Sequence, residues 1–188
     1  MRKHQRTSGF TLVELAIVVV IVGILGVIGF AIYRRHRATV RTTEATQVTA
    51  GIRVAQEAVI TERGTYASVS NDSTSYYPAA TPGPFVTEWG GKCTNCAGGD
   101  VDGWNKLAFH PSGPVMFGYA TVAGIGGDSL AVNKPSAAND VDTKSASLKA
   151  TDPFYITVAW GDTDGDGVPC VVLSYSTSNQ IIVKSAGE

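Results

Sequence analysis

The sequence is poor in the side chains that do chemistry. Three Cys, three His and two Met among 188 residues leave few nucleophiles, bases or soft metal ligands. Gly-x-Ser-x-Gly, a phosphate loop and His-Glu-x-x-His are all absent, which argues against the common hydrolase, nucleotide-binding and metalloprotease chemistries. Charged residues make up 16%, too few for a coiled-coil rod, and the 44% apolar content argues against wholesale disorder. The eight Pro fall beyond residue 77 and Gly reaches 21, so turns concentrate in the C-terminal two thirds. Charge is also missing from one long stretch. Leu15 to Ile32 carries none in eighteen residues.

The net charge of −1 hides a segregation. Residues 1–33 hold Arg2, Lys3 and Arg6 against Glu14, and residues 34–63 hold six Arg against three Glu. Residues 64–188 hold six Lys against twelve carboxylates. An acidic C-terminal region argues against sequence-independent binding of nucleic acid by that surface.

An uncharged run of this length predicts a transmembrane helix, since about 20 helical residues reach roughly 30 Å. The alternative is a secretory signal peptide cut near Gly29-Phe30-Ala31. Glu14 within the apolar stretch, and Arg34, Arg35 and Arg37 directly after it, oppose that reading. A carboxylate in a span costs about 2.5–3.5 kcal/mol, so Glu14 is a functional candidate. It needs a cation, and cleavage after Gly9 would create one as the α-amino group of Phe10.

An Arg-rich leader, then Gly9-Phe10-Thr11-Leu12-Val13-Glu14-Leu15, then an apolar run, resembles the prepilin motif of type IV pilins and type II secretion pseudopilins. The resemblance covers about the first 35 residues. It implies cleavage between Gly9 and Phe10 by a membrane prepilin peptidase, N-methylation of Phe10, and retention of the apolar run. It implies that Glu14 pairs with the Phe10 amine of a neighbouring subunit, where a broken buried pair would penalise a wrong register. It also implies an inner-membrane assembly platform as partner, with the head in the periplasm before export into an extracellular filament. The sequence departs from the pattern in having Ala31 where pilins often have Pro; Gly23, Gly26 and Gly29 loosen or closely pack the helix instead. Arg34, Arg35, His36 and Arg37 balance the leader's cations, so orientation rests on the resemblance, and these cations are candidates for lipid phosphates.

The helical pattern continues beyond Tyr33. Ala45, Val48, Ile52, Ala55 and Val59 form an amphipathic stripe, and Gly64 follows Arg63 as a C-cap. Phe10 to Arg63 is thus expected as one helix of roughly 80 Å. Strands are expected at Lys106–His110, Val115–Ala123, Phe154–Trp160, Cys170–Ser176 and Gln180–Lys184, with the last three in an antiparallel meander. Residues 65–103 read as loop-rich and 124–151 as a polar insertion. The expected fold class is α+β, a pilin fold with an antiparallel sheet laid on the long helix. Its divisions are a leader (1–9), an apolar assembly half-helix (10–33), an amphipathic half-helix (34–63) and a β-rich head (64–188).

Two head constellations stand out. Asp162-Thr163-Asp164-Gly165-Asp166-Gly167 reproduces the first half of a calcium loop, whereas the twelfth position is Leu173 instead of Glu. Asp162, Asp164 and Asp166 are candidate Ca2+ ligands, with a carbonyl near Val168 and Asp152 as further donors. A hydrated acidic turn is the alternative. Cys93, Cys96 and Cys170 would face an oxidising compartment, where three single bridges are open. A bridge from the Cys93/Cys96 loop to Cys170 restrains roughly 75 residues, about 4 kcal/mol in the chain-entropy account, and is the expectation. Trp89, Trp104 and Trp160 read as core residues. The expected function is structural: a major or minor pilin, alternatively a type II secretion pseudopilin, or a membrane-anchored surface-binding module that does not polymerise.

Overall fold

The computed structural model describes residues 10–91, 101–126 and 151–184. Helix α1 runs from Leu12 to Arg63, and the chain divides after Arg37 into two units. In the first, Gly23, Gly26 and Gly29 interrupt nothing: the helix continues through all three, each facing open space. The stretch Leu12–Phe30 has a mean hydropathy of 2.9 and is long and apolar enough to cross a membrane.

The second unit begins at Ala38, within α1, whose last turns carry the expected stripe. Ala45, Val48, Ile52 and Val59 are buried, and Ala55 packs against them. Burying each larger aliphatic contributes on the order of 1.5–3 kcal/mol. At Gly64 a positive φ of 74° and the Gly64 N–H donating to the Ile60 carbonyl (2.8 Å) end the helix. Only glycine adopts that geometry without a steric penalty.

The stripe packs on a four-stranded antiparallel meander: β1 (Gly118–Gly124), β2 (Phe154–Gly161), β3 (Cys170–Tyr175) and β4 (Ile182–Lys184), in that order. Register pairs Thr121 with Thr157 and Thr157 with Ser174, and strand alternation sends Tyr119, Ala159 and Val172 into the cluster under α1. Ile156, Val158, Val171 and Leu173 point the other way into a second cluster, where Tyr76 stacks on Trp160 at 5.6 Å. The sheet is buried on both faces, hence its near-continuous apolar runs. The α+β class expected from sequence is the one found.

Three strand expectations change, the smallest being that the strand expected from Gln180 begins at Ile182. Lys106–His110 is no strand: short helix α2 (Val101–Lys106) ends there, followed by turn bonds from Leu107 N to Trp104 O and from Ala108 N to Asn105 O, both 3.1 Å. Trp104 and Leu107, three residues apart, are both buried, which a turn of helix achieves and an alternating strand does not. The strand expected from Val115 starts at Gly118. Val115 instead bridges Thr87 through two backbone bonds (2.7 and 2.9 Å). The expected insertion falls largely at 127–150, outside the described residues.

Two polar side chains of α1 fix the helix to the rest, and a tyrosine beyond it ties a turn of the loop region. Gln56, fully buried, donates Nε2–H to the Ala67 carbonyl (2.7 Å) and accepts the Ala67 N–H (2.9 Å), closing the chain back on the helix it has just left. Glu44 accepts the Met116 N–H (2.8 Å) at the approach to β1, and its burial raises its carboxyl above the ordinary value against the pull of that bond. Tyr77 ties the turn at residue 90 by accepting Gly90 N–H (2.8 Å) and donating to Gly91 O (3.1 Å).

Gly51 carries the tightest packing constraint among the glycines of α1. A Cβ there would stand 2.5 Å from the Phe109 ring, which lies edge-on to Trp89 at 6.0 Å. Gly51→Val should therefore cost about 2 kcal/mol through overpacking, lowering the melting temperature of the head by roughly 4–8 °C. Ala58→Val, on the exposed side of the same helix, should leave it nearly unchanged by circular dichroism.

Candidate assembly site

The N-terminal turn of α1 is built by a reciprocal pair. Thr11 and Glu14 are the N-cap and third residue of the helix. Glu14 Oε2 accepts both the Thr11 N–H (2.9 Å) and the Thr11 hydroxyl (2.8 Å), while the Glu14 N–H donates to Thr11 Oγ1 (3.2 Å). This is a capping box: each side chain satisfies a backbone donor that the first turn leaves without an acceptor. The carboxylate also sits at the positive end of the helix dipole. The cation-centred reading of Glu14 overlooked this partner, although Thr-x-x-Glu before an apolar run is legible as a helix start.

Around the box the surface is apolar. Phe10 is 83% exposed and Leu12 86% exposed, and the side chains of the described span Leu12–Phe30 are unburied. Contiguous apolar exposure on this scale marks a surface that meets lipid or protein. Thr11 and Glu14 are the polar groups in its first turn. Gly9, the other half of the expected cleavage site, lies outside the described residues.

In the head, the acidic loop between β2 and β3 brings its three aspartates together, with one ligand oxygen from each of Asp162, Asp164 and Asp166 within 4.8 Å of the others. Asp162 accepts the Gly165 N–H (2.8 Å) and the Gly167 N–H (3.0 Å), and Asp166 accepts the Val168 N–H (2.7 Å). Gly165 and Gly167 both take positive φ (79° and 85°), which the tight turn requires. The donor set is hard oxygen and the spacing fits one cation. Three of its acceptor positions, two on Asp162 and one on Asp166, already organise the loop itself.

Cys170 opens β3 as a free, buried thiol among the described residues. Its side chain belongs to the cluster under α1, where burial pushes the thiol pKa up and the Thr42 hydroxyl pulls it back. The loop containing Cys93 and Cys96 lies outside the described residues. Trp104 is fully buried, and Trp89 and Trp160 pack against the two clusters, all three as core residues.

Comparison with curated proteins and with solved structures gives no significant match. The prokaryotic N-terminal methylation motif, by contrast, matches residues 4–30, which spans the Gly9-Phe10 junction, the capping box and the apolar run. That motif belongs to structural proteins, and with its apolar helix it suits a membrane-anchored precursor. The chain carries the N-terminal signature of type IV pilins and pseudopilins.

Proposed function

We propose that the chain is a major or minor pilin, a structural subunit of a type IV pilus-like cell-surface filament. The observation that carries this reading is the exposed apolar stretch Leu12–Phe30, contained in a methylation motif and continuous in sequence with a folded head. The stripe from Ala45 to Val59 is consumed by the sheet, whereas the apolar side chains before Tyr33 have no such partner among the described residues. Lipid would cover them in the precursor, and other pilin subunits of the same or a related kind would cover them in the filament. Prepilin peptidase and an inner-membrane assembly platform are the partners this route requires. The head would wait in the periplasm and end on the outside of the cell. Purified surface filaments containing the chain support a pilin; their absence, together with defective enzyme secretion in a deletion strain, supports a pseudopilin.

Mass spectrometry of assembled filaments should find the chain starting at methylated Phe10, without Met1–Gly9. A bulky residue at Gly9 should leave the precursor uncut. An intact leader in filaments, or a terminus after Ala31, would overturn the assignment.

Glu14→Ala should leave cleavage and methylation intact and reduce filament yield at least tenfold, since the amine of a neighbouring Phe10 then enters an apolar environment without its counter-charge. Glu14→Ala also removes the capping box, so Thr11→Val, which disrupts the box but keeps the carboxylate, serves as the control. Equal loss of filaments in both variants would assign the effect to capping rather than to the ion pair.

We also propose that Asp162, Asp164 and Asp166 hold Ca2+ weakly, at the millimolar concentrations typical of extracellular modules. Support comes from the oxygen spacing alone. Calcium should raise the melting temperature of the mature chain in detergent relative to chelator, and Asp164→Ala should abolish the difference. Asp162→Ala should lower stability in both conditions, because two backbone amides lose their acceptor. Identical curves for the wild type with calcium and with chelator would reduce the loop to a self-capped turn.

A further inference from the structure

The interface between α1 and the sheet is unexpectedly polar. Thr121, Thr157 and Ser174 are direct lateral partners on β1, β2 and β3, so they form one row on the face beneath the helix. All three are fully buried, as are Thr49 and Gln56 above them. Part of this row is satisfied. The Thr121 and Thr157 hydroxyls meet at 2.9 Å, Thr121 Oγ1 donates to the Ile156 carbonyl (3.3 Å), and Gln56 Nε2 donates to Thr121 Oγ1 (3.4 Å). With the Thr121 proton committed to Ile156, the proton between the two threonines comes from Thr157. That leaves the lone pairs of Thr157 Oγ1 open as acceptors.

Besides that of Tyr119, three further hydroxyls of the same interface have no partner. Ser174 sits beside Thr157 in the row, and Tyr155 lies two residues along β2 on the same face. Their hydroxyls approach each other without reaching hydrogen-bonding geometry. Thr49 is the third. The Thr42 hydroxyl lies against Cys170 of β3 and Gln56 against Thr121 of β1; Thr49, seven residues from each, falls between them on the same helix face. Thr49, Tyr155 and Ser174 are each fully buried. A buried hydroxyl without a partner costs the whole of its desolvation, so such groups in native proteins are almost always bonded to protein or to ordered water.

We propose that this seam is a buried hydration site, in which ordered waters, none taking more than two protons, accept from Thr49, Tyr155 and Ser174 and donate to the lone pairs of Thr157. The site has the polar, multi-donor lining that internal water requires, and it offers the two to four partners such water takes. It joins α1 to β2 and β3 where Gln56 has already joined it to β1.

Shape-conserving removal of each hydroxyl tests this, in the full mature chain in detergent. Thr49→Val, Ser174→Ala and Tyr155→Phe each delete an oxygen and little else. If the hydroxyls hold water, each variant lowers the melting temperature by roughly 2–4 °C, the shift of about one lost hydrogen bond in a chain of this size. The Thr49→Val/Ser174→Ala double variant then falls by less than the sum, because both groups serve the same water. Long-lived water–protein NOEs at Thr157 and Ser174 should be present in the wild type and absent from the double variant. Unchanged or raised melting temperatures, strictly additive losses, or no such NOEs in the wild type would overturn the proposal.

Discussion

One side of one helix has to be buried, and the head is the means of burying it. Ala45, Val48, Ile52 and Val59 recur at helical spacing, and a lone amphipathic helix cannot hide them. A sheet of four short strands can, because strand alternation presents Tyr119, Ala159 and Val172 as a matching surface. The remaining features of the head follow from holding these two layers in register. Gln56 closes the chain over the helix end, Glu44 pins the approach to β1, and Gly51 gives the Phe109 ring room to approach the helix backbone.

The polar groups in that interface limit what burial alone would give. A purely apolar contact between helix and sheet would tolerate small slips, since dispersion and solvent exclusion have little directionality. Gln56 and the Thr121–Thr157 pair do not tolerate them, because a shift of one residue would strand donors in a dry interior. The interface thus trades some hydrophobic stabilisation for a defined alignment.

Legibility followed the length of the pattern. The apolar run, the stripe and Gly64 were readable because a period repeated over several turns leaves few alternatives. Strands β2 and β3 were readable from β-branched runs bounded by turn residues, and their ends were right to within a residue. The segment at Lys106–His110 misled because five residues carry too little periodicity, and the burial of Trp104 and Leu107 is decided by contacts distant in sequence. Cys170 was legible only as a member of a strand: its side chain opens β3 and faces Thr42 and the core beneath the helix, which no count of cysteines reveals. Thr11 is legible too, because Thr-x-x-Glu ahead of an apolar run marks a helix start whatever the charge balance.

The capping box uses only one side of the Glu14 carboxylate. Both Thr11 donors fall on Oε2, and a carboxylate has about four acceptor positions on its two oxygens, so a cation can meet Oε1 without breaking the cap. The cap itself is worth about 0.5–2 kcal/mol, and an ion pair in water about 0–1. The two roles therefore do not compete. A cation docking at this turn would meet a carboxylate whose position the helix start has already set, so little ordering of that side chain would remain to be done on contact.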